Sequence, residues 1–320
     1  MSDALSATVA VVIVNYRTPS LTIDCLRTLV PERERLPGLR AIVVENASGD
    51  DSYAVLAEAI RREGWDWAEL LTATKNNGFA AGNNVALRTL ASTSVDYIWL
   101  LNPDTLLEPG AAVSLAEFLN ARPHVGIAGS HLLNIDGSFQ TSAYRFPSAV
   151  ADFENWVRLG FVSKALEYFR VSMKQSEVPH RADWVSGASL MLRREVLDAI
   201  GLMDEGFFLY FEETEYCQRA RMTGWDIWHV PDSRVTHIAG QSTGITGDHT
   251  APKRRPKYWF DSRSRYFEKC NGRTRAMLAD AAFLTAFSLW KLQRAIRRKP
   301  DPDPPHFWGD FARYSLRRWT

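Results

Sequence analysis

The first hundred residues alternate short apolar runs with longer amphipathic segments. The runs predict strands and the segments predict helices, in the order strand 8–16, helix 19–29, strand 41–46, helix 52–63, strand 68–73, helix 82–90 and strand 95–102. Strands that alternate with helices are typical of a parallel sheet with helices on both faces. Runs without polar residues, such as VVIV and AIVV, fit strands that are buried on both sides. The pattern therefore predicts an α/β fold.

The regular alternation ends near residue 147. The later pattern predicts helix over 150–178, a strand and then a helix over 183–201, an acidic helix within 207–225, and two short strands over 226–240 with a Pro231-Asp232 turn. The Pro-rich stretch at 301–305 predicts a bend before a short final helix.

Composition is that of a folded globular protein, with 46% hydrophobic and 23% charged residues in 320. That length allows one large α/β domain or two modest ones. The three cysteines are scattered and give neither a disulfide framework nor a zinc spacing, which predicts a reducing, cytoplasmic setting. The first apolar run has no basic region before it, so it is predicted to be a strand and not a signal peptide.

The net charge of +1 conceals an asymmetry between the body and the tail. Residues 252–320 contain 17 Lys/Arg and 6 Asp/Glu, a balance of +11, whereas residues 1–251 contain 21 and 31, a balance of −10. A basic tail on an acidic body suggests an anionic partner, and a solvated helical surface is the plainer alternative. Within the tail, 276–299 joins about fifteen mostly apolar residues to a basic end, fewer than the ~20 that span a bilayer. It is predicted to be either an interfacial helix or a helix packed on the body.

Polar residues follow each of the four predicted strands. In parallel sheets, the carboxyl ends of the strands meet at one edge, where ligands bind. A turn would explain each cluster separately, but not all of them at one edge. The candidates for this edge are Asn15, Tyr16, Glu45, Asn76, Gly78, Asn102 and Asp104.

Asp104 directly follows a buried strand in WLLNPDT, where a plain turn is the common interpretation. A carboxylate on such a loop can also bind a hard cation such as Mg²⁺ or Mn²⁺, with substrate phosphates completing the shell. His237, again just after an apolar strand, is a candidate second ligand, although a lone histidine is more often structural.

Three glutamates, Glu212, Glu213 and Glu215, open the acidic helix. Carboxylates in a first turn are favoured by the helix dipole, which is the structural explanation. The aromatic stretch FFLYF directly before them is unusual for a solvated face, however. A carboxylate beside aromatic surface can have a raised pKa and serve as a general base.

Seven stretches occur in the order VVIVNYRT, VVENASGDDS, KNNGFAAGNN, WLLNPDT, DWVSGASLMLRRE, GLMDEGFFLYFEETEYCQRARMTGW and PDSRVTHIAGQS. Together they resemble glycosyltransferase family 2, which has the GT-A fold, and particularly its rhamnosyltransferase-like bacterial branch. The resemblance covers about residues 8–245. It implies a GT-A catalytic domain over 1–250, with a nucleotide-binding part (about 8–130) and an acceptor-binding part (about 131–250). Residues 251–320 would form a basic, aromatic helical extension.

The resemblance also assigns roles to residues. It implies an inverting transfer of a sugar from a nucleotide donor, with Asp104 as the ligand of Mn²⁺ or Mg²⁺ and Asn102 at the first position of the metal-binding triplet. Glu213 falls at the position of the family's base, where an aspartate is usual, and Glu212 or Glu215 could share that role. The positions that match contacts to the nucleotide or the acceptor are Asn15, Glu45, Asn76, Gly78, Trp184, Ser186 and Gly187, and Glu215 is also expected among the acceptor contacts.

The branch favours dTDP-rhamnose as donor, with UDP- or GDP-sugars as alternatives, and cell-surface polysaccharide synthesis as the setting. The expected acceptor is a saccharide or a polyprenyl-diphosphate-linked sugar, which would suit a protein at the inner face of the plasma membrane. No nucleic acid partner is expected, and a homodimer is left open. A sugar-nucleotide pyrophosphorylase fits poorly, because NYRTPS after strand one is not a Gly-rich phosphate loop. A catalytically inactive GT-A binding module is the remaining alternative.

Overall fold

The computed structural model describes residues 6–238 and 253–319. The first half of the chain contains β1 (Thr8–Asn15), α1 (Pro19–Arg35), β2 (Gly38–Glu45), α2 (Ser52–Arg62), β3 (Ala68–Thr72), α3 (Phe79–Leu90), β4 (Tyr97–Leu101), β5 (Thr105–Leu107), α4 (Ala111–Asn120) and β6 (Val125–Leu133). The rest contains β7 (Phe139–Gln140), β8 (Ala143–Tyr144), α5 (Ala149–Val157), α6 (Gly160–Ala165), a 3-10 turn at Glu167–Phe169, β9 (His180–Ala182), β10 (Trp184–Val185), β11 (Ser189–Arg193), α7 (Arg194–Ile200), α8 (Glu212–Met222), β12 (Asp226–His237), α9 (Lys257–Ile296) and α10 (Phe307–Trp319).

The central sheet has the strand order β3-β2-β1-β4-β11-β6-β12-β5. Its first four strands are parallel, as predicted. Strand β11 is antiparallel to both β4 and β6, β12 runs parallel to β6, and β5 is antiparallel to β12. The predicted α/β sheet is thus confirmed, and it becomes mixed beyond β4.

Helices cover both faces of this sheet. Alternate residues of β1 enter two separate cores: Val11 packs on the side of α1, and Val12 packs on the side of α3. Every residue of β1 after Thr8 is buried. The strand predicted from VVIV is apolar throughout because helices cover it on both faces of the sheet.

Two predictions for the second half were wrong. The segment 226–240 does not form two strands around a Pro231-Asp232 turn, because β12 is continuous from Asp226 to His237. Its pairing with β6 shifts register between Val230 and Arg234, and this irregularity accommodates a proline that cannot donate to the ladder. Helix also ends at Phe169 and does not continue to 178.

The C-terminal helices pack on α5. Helix α9 changes direction at Gly272, whose φ of 79° lies in the left-handed region that glycine tolerates. Aromatic rings from three helices form a separate core: Trp156, Phe260, Phe283, Phe287, Phe307 and Phe311. The boundary predicted at residue 250 lies outside the described residues. Over 6–238 and 253–319, no helix has the length and apolarity needed to cross a membrane.

Candidate active site

A cavity of about 540 Å³ opens at the carboxyl ends of β1, β2 and β4. The loops before α3, β11 and α8 and the end of β12 complete its wall. Its lining includes these predicted site residues: Tyr16, Asn76, Gly78, Asn102, Asp104, Ser186, Gly187, Glu212, Glu213 and His237. A larger cavity, of about 730 Å³ around the start of α10, contains none of them. The predicted residues therefore converge on one cavity, while their chemical roles stay predictions.

Asp104 and His237 face each other in this cavity. Strand pairing places His237 opposite Thr105, and the Ile238 N–H donates to the Asp104 carbonyl over 2.9 Å. As a result, His237 Nε2 lies 3.4 Å from Asp104 Oδ1. The other ring nitrogen, Nδ1, donates to Oε1 of Gln140 over 2.7 Å. Nε2 is then left with the lone pair, toward which the Asn102 side-chain amide donates over 3.3 Å.

This pair fits a divalent cation that has only a few protein ligands. An aspartate oxygen and an imidazole nitrogen suit Mn²⁺, and Mg²⁺ needs one or two carboxylates with substrate phosphates and water. Across the part of the chain that the structure describes, no group of three or more His, Cys, Asp or Glu side chains is arranged to hold a metal. An ion at Asp104 and His237 would therefore depend on the phosphates of a bound nucleotide.

Gly78 allows the α3 loop to approach the segment before α8. Its φ is 94°, and a Cβ at this position would lie 1.9 Å from the Phe208 carbonyl oxygen. The Phe79 N–H donates to that same oxygen over 2.8 Å. The side chain of Asn76 accepts from the Gly78 N–H, which fixes the loop at the cavity wall.

Two predicted nucleotide contacts lie behind the cavity wall. Asn15 is fully buried, and its side-chain oxygen accepts from the Thr22 hydroxyl over 3.0 Å. Glu45 accepts from the Ser48 N–H over 2.8 Å. Neither lines the cavity, so both side chains hold the loops that carry its wall.

Glu212 and Glu213 begin α8 after an unusual backbone. Tyr210 and Phe211, directly before them, both have positive φ, at 72° and 68°. Consecutive left-handed residues without glycine cost free energy, and such strain is concentrated at functional sites. A Cβ at Gly187 would lie 3.6 Å from Oε1 of Glu213, at van der Waals distance, so Gly187 is a direct neighbour of this carboxyl group.

Burial raises the pKa of both carboxyl groups. For Glu212, burial is reinforced by the neighbouring charge of Glu213, and its pKa is raised well above the usual value. For Glu213, backbone amides of Gly187 and Thr214 favour the ionised form and offset part of the effect of burial. Backbone amides therefore favour a carboxylate at Glu213, whereas burial and the neighbouring charge both disfavour ionisation of Glu212.

Glu213 also lines a second cavity, of about 410 Å³. Tyr210 is the other residue that lines both cavities. Seven of the sixteen residues that line the second cavity are aromatic: Tyr144, Trp156, Trp184, Tyr210, Phe211, Trp259 and Phe267. Tyr144 and Trp184 stack with their centroids 4.0 Å apart. The predicted residue Trp184 thus belongs to this cavity and not to the first.

Glu215, grouped with the acceptor contacts in the sequence, faces elsewhere. Its side chain is completely buried and pairs with Arg219 at 2.7 Å and Lys269 at 2.9 Å. Because α8 turns 100° per residue, a carboxylate two positions after Glu213 lies on another side of the helix. Its position joins α8 to α9, and an acceptor contact by Glu215 is not supported.

The seven stretches are matched over most of their span by one family. A family model described as "Glycosyltransferase like family 2" covers residues 7–250. The chain belongs to this family. Among curated relatives, an N-acetylglucosaminyl-diphospho-decaprenol L-rhamnosyltransferase of Mycobacterium tuberculosis is 29% identical over 169 residues, which is 52% of this chain and 54% of that protein. A dTDP-rhamnosyl transferase of Shigella flexneri is 21% identical over 239 residues, or 75% and 72% of the two chains.

Solved structures show the fold of this glycosyltransferase family member. GalNAc-T7, solved with UDP, GalNAc and Mn²⁺, has a TM-score of 0.59 at 14% identity and covers 83% of this chain and 48% of its own. A mannosyltransferase of Pyrobaculum calidifontis, solved with GDP-Man and Mn²⁺, has a TM-score of 0.54 at 15% identity, over 98% and 86%. The predicted GT-A fold and the family resemblance are confirmed. The chain spans about half the length of the mycobacterial relative.

Sequence reasoning missed several residues of this family member's site. Gln140 gave no local pattern that connects it with His237, which lies 97 residues further along the chain. Trp156 and Trp259 come from α5 and α9, which contain several other aromatic residues, so aromatic character alone did not distinguish these two. Their grouping around Glu213 follows from helix packing.

Proposed function

We propose that this chain is a metal-dependent inverting glycosyltransferase that moves a sugar from a nucleotide donor to an acceptor hydroxyl. The observation that carries the proposal is the position of Glu213, whose side chain lines two cavities. One cavity contains the Asp104–His237 pair, suited to a nucleotide diphosphate with its cation. The other has aromatic walls suited to a sugar ring. A base at their junction is where an acceptor hydroxyl would meet a donor.

The donor would occupy the first cavity. Asp104 and His237 would hold Mn²⁺ or Mg²⁺, which supplies positive charge that stabilises a leaving diphosphate. Tyr16, Asn76 and Gly78 would line the nucleotide, while Asn15 and Glu45 support the loops behind it. Ser186 and Gly187 would lie beside the transferred sugar, near Glu213.

The reaction needs one proton acceptor and no covalent intermediate. The Glu213 carboxylate takes the proton of the acceptor hydroxyl as that oxygen forms a bond to the anomeric carbon. The bond from the anomeric carbon to the diphosphate breaks on the opposite face, so the configuration inverts. The nucleoside diphosphate leaves with the electron pair. Burial and the neighbouring charge of Glu213 disfavour a second charge on Glu212, directly beside the base.

L-Rhamnose from dTDP-rhamnose is the donor that we favour, because two matched relatives carry rhamnosyltransferase names. UDP- or GDP-sugars are the alternatives. We further propose a glycan or lipid-linked acceptor in cell-surface polysaccharide synthesis, in the cytoplasm at the inner face of the plasma membrane, without a nucleic acid partner. The aromatic second cavity supports a saccharide acceptor, since aromatic faces pack well against the apolar faces of sugar rings.

Donor hydrolysis tests the proposal. The protein is incubated with Mn²⁺ and dTDP-rhamnose, UDP-glucose or GDP-mannose, and release of nucleoside diphosphate is measured. Release that requires Mn²⁺ and is lost in Asp104→Ala supports the proposal. Donor binding without any release, with or without saccharide acceptors, would instead favour an inactive GT-A binding module.

A further inference from the structure

The second part of α9 exposes a continuous apolar stripe. After Gly272, one face of the helix is buried against α5 and α10, through Ala276, Ala279, Phe283, Ala286 and Phe287. Exposed residues recur at intervals of three or four on another face: Leu278, Ala281, Thr285, Leu289, Leu292 and Ile296. We call these six residues the α9 stripe. At 1.5 Å per residue it extends for about 27 Å.

The side chains of the stripe are unusually exposed for their type. The exposed fractions are 58% for Leu278, 60% for Leu292 and 74% for Ile296. Single exposed leucines are common on protein surfaces, but a contiguous apolar row indicates a binding surface. Thr285 is the one hydroxyl residue within the row.

Basic residues flank both ends of the stripe. Residues 269–299 contain eight Lys/Arg and a single acidic residue, Asp280, which is buried and paired with Arg263. In the described parts of the chain, six exposed basic residues here form no ion pair: Arg273, Arg275, Lys291, Arg297, Arg298 and Lys299. The stripe is thus an apolar row within a strongly cationic surface.

We propose that the α9 stripe docks on an anionic lipid bilayer, with its apolar side chains in the interface and the basic residues at headgroup depth. The positive charges at both ends of the stripe argue against a second copy of the chain as its partner. Parallel pairing of two stripes would place Arg297 against Arg297, and antiparallel pairing would place Arg297 near Arg273. An anionic surface satisfies both basic ends at once.

The segment 158–172, which contains α6, runs from a contact with α9 to the wall of the second cavity. Arg158, just before α6, lies over the ring of Trp290 on α9, with 5.1 Å to the centroid. Residues 170–172, just after the 3-10 turn, line the second cavity. Between them, Phe161 and Tyr168 are each 75% exposed. Resting on the proposed function, this link lets a lipid-linked acceptor reach Glu213 from the bilayer.

Vesicle sedimentation tests the docking surface. The full chain is mixed with vesicles of phosphatidylcholine alone or with phosphatidylglycerol, at low and high salt. We expect binding to the anionic vesicles that falls with salt. Leu289→Ser/Leu292→Ser should lower partitioning at least tenfold, since two apolar side chains no longer enter the interface. Arg297→Gln/Arg298→Gln should lower it by at least tenfold, at about fivefold per charge.

Matched variants control for general effects of charge and polarity. Met222→Ser removes an even more exposed apolar side chain, at 79%, from α8, and Arg61→Gln/Arg62→Gln removes two exposed charges from α2. Both should bind vesicles like the unmodified chain. Sedimentation of the stripe variants at the level of the unmodified chain would overturn the proposal. So would a dimer in light scattering that the leucine variant abolishes without any vesicle binding.

Donor hydrolysis in the absence of vesicles separates this proposal from the proposed function. The stripe variants should hydrolyse donor at the rate of the unmodified chain, because none of the changed residues lines the first cavity. If vesicle binding is normal but neither the unmodified chain nor any variant hydrolyses donor, the docking surface is supported and the proposed function is contradicted.

Discussion

Nδ1 of His237 lies 2.7 Å from the side-chain oxygen of Gln140, while Nε2 of the same ring lies 3.4 Å from Asp104. An amide oxygen can only accept, so Nδ1 carries a proton, and the Asn102 amide 3.3 Å from Nε2 can donate to a lone pair there. A histidine that binds a metal commonly donates its other N–H to such a partner. Gln140 on β7 therefore selects the tautomer and the ring orientation that an ion beside Asp104 requires.

Removing this partner should weaken metal binding without removing a ligand. We expect Gln140→Ala to lower Mn²⁺ affinity about 10- to 100-fold in the presence of dTDP, measured by calorimetry. Gln293→Ala on α9 is the control and should bind Mn²⁺ normally. An unchanged Mn²⁺ affinity in Gln140→Ala would show that His237 is oriented by other contacts.

Loss of the Asp104 side chain should weaken donor binding more than loss of the His237 side chain. Asp104→Ala should abolish Mn²⁺-dependent binding of the donor and its hydrolysis. His237→Ala should weaken Mn²⁺ less, because phosphate oxygens and water can take its place around the ion. Asp136→Ala, in an exposed turn, is the matched control. Calorimetry that finds normal donor affinity in Asp104→Ala would contradict the assignment.

Glu213→Gln should separate catalysis from binding. It preserves size but removes the proton acceptor, so transfer should fall about 10²- to 10⁴-fold. Donor affinity should hold, since the donor residues lie on other loops. Because burial raises the pKa of Glu213, activity should decline with falling pH from above the ~4.3 usual for glutamate. Normal transfer by Glu213→Gln, with Glu212→Gln inactive, would move the base to Glu212.

Glu212 should make stability depend on pH. Its raised pKa means that ionisation costs more in the folded than in the unfolded chain. Stability is therefore retained below the unfolded pKa and lost as pH rises through the folded one. Glu212→Gln removes that loss, so its Tm should exceed that of the unmodified chain at about pH 8 and match it at about pH 4. Equal Tm differences at both pH values would contradict the raised pKa.

Trp184 should affect the acceptor and not the donor. Its indole N–H donates to the Arg145 carbonyl over 3.0 Å, and its ring stacks on Tyr144 in the second cavity. Trp184→Ala should raise the acceptor KM about tenfold or more, since stacking and burial contribute about 1.5 kcal/mol or more. Donor hydrolysis should not change. Tyr53→Ala, an exposed aromatic on α2, is the control. A change confined to donor KM would place Trp184 on the donor side.

The first half of the sheet was predictable because strands that are buried on both faces appear in the sequence as runs of apolar residues. The strand β6 was not predicted, although it is central. Gly126 and Gly129 interrupt its apolar pattern because side chains of neighbouring segments approach its backbone closely. A Cβ at Gly126 would lie 2.7 Å from Trp225, and one at Gly129 would lie 2.5 Å from Val185. A tertiary requirement for glycine thus hides a strand from local periodicity.

The candidate site likewise contains residues that the local sequence predicts and residues that only tertiary packing brings there. Asp104 was found because its loop follows β4 directly, and the parallel sheet rule then fixes its edge. The aromatic stretch before α8 marked its three glutamates as candidates for a base, and the family resemblance selected Glu213 among them. Gln140 and Trp259 reach the site only through strand pairing and the packing of α9, neither of which leaves a local pattern.

Arg263 ties two distant segments of the chain to one guanidinium. It pairs with Asp152 on α5 and with Asp280 beyond the bend of α9, and all three side chains are largely buried. Loss of such a partner strands a buried charge, at a cost of about 3–5 kcal/mol. Any recombination that exchanged α5 between homologous chains without α9 would meet this cost. An exchange of α5 between homologous chains should therefore preserve stability only when α9 is exchanged with it.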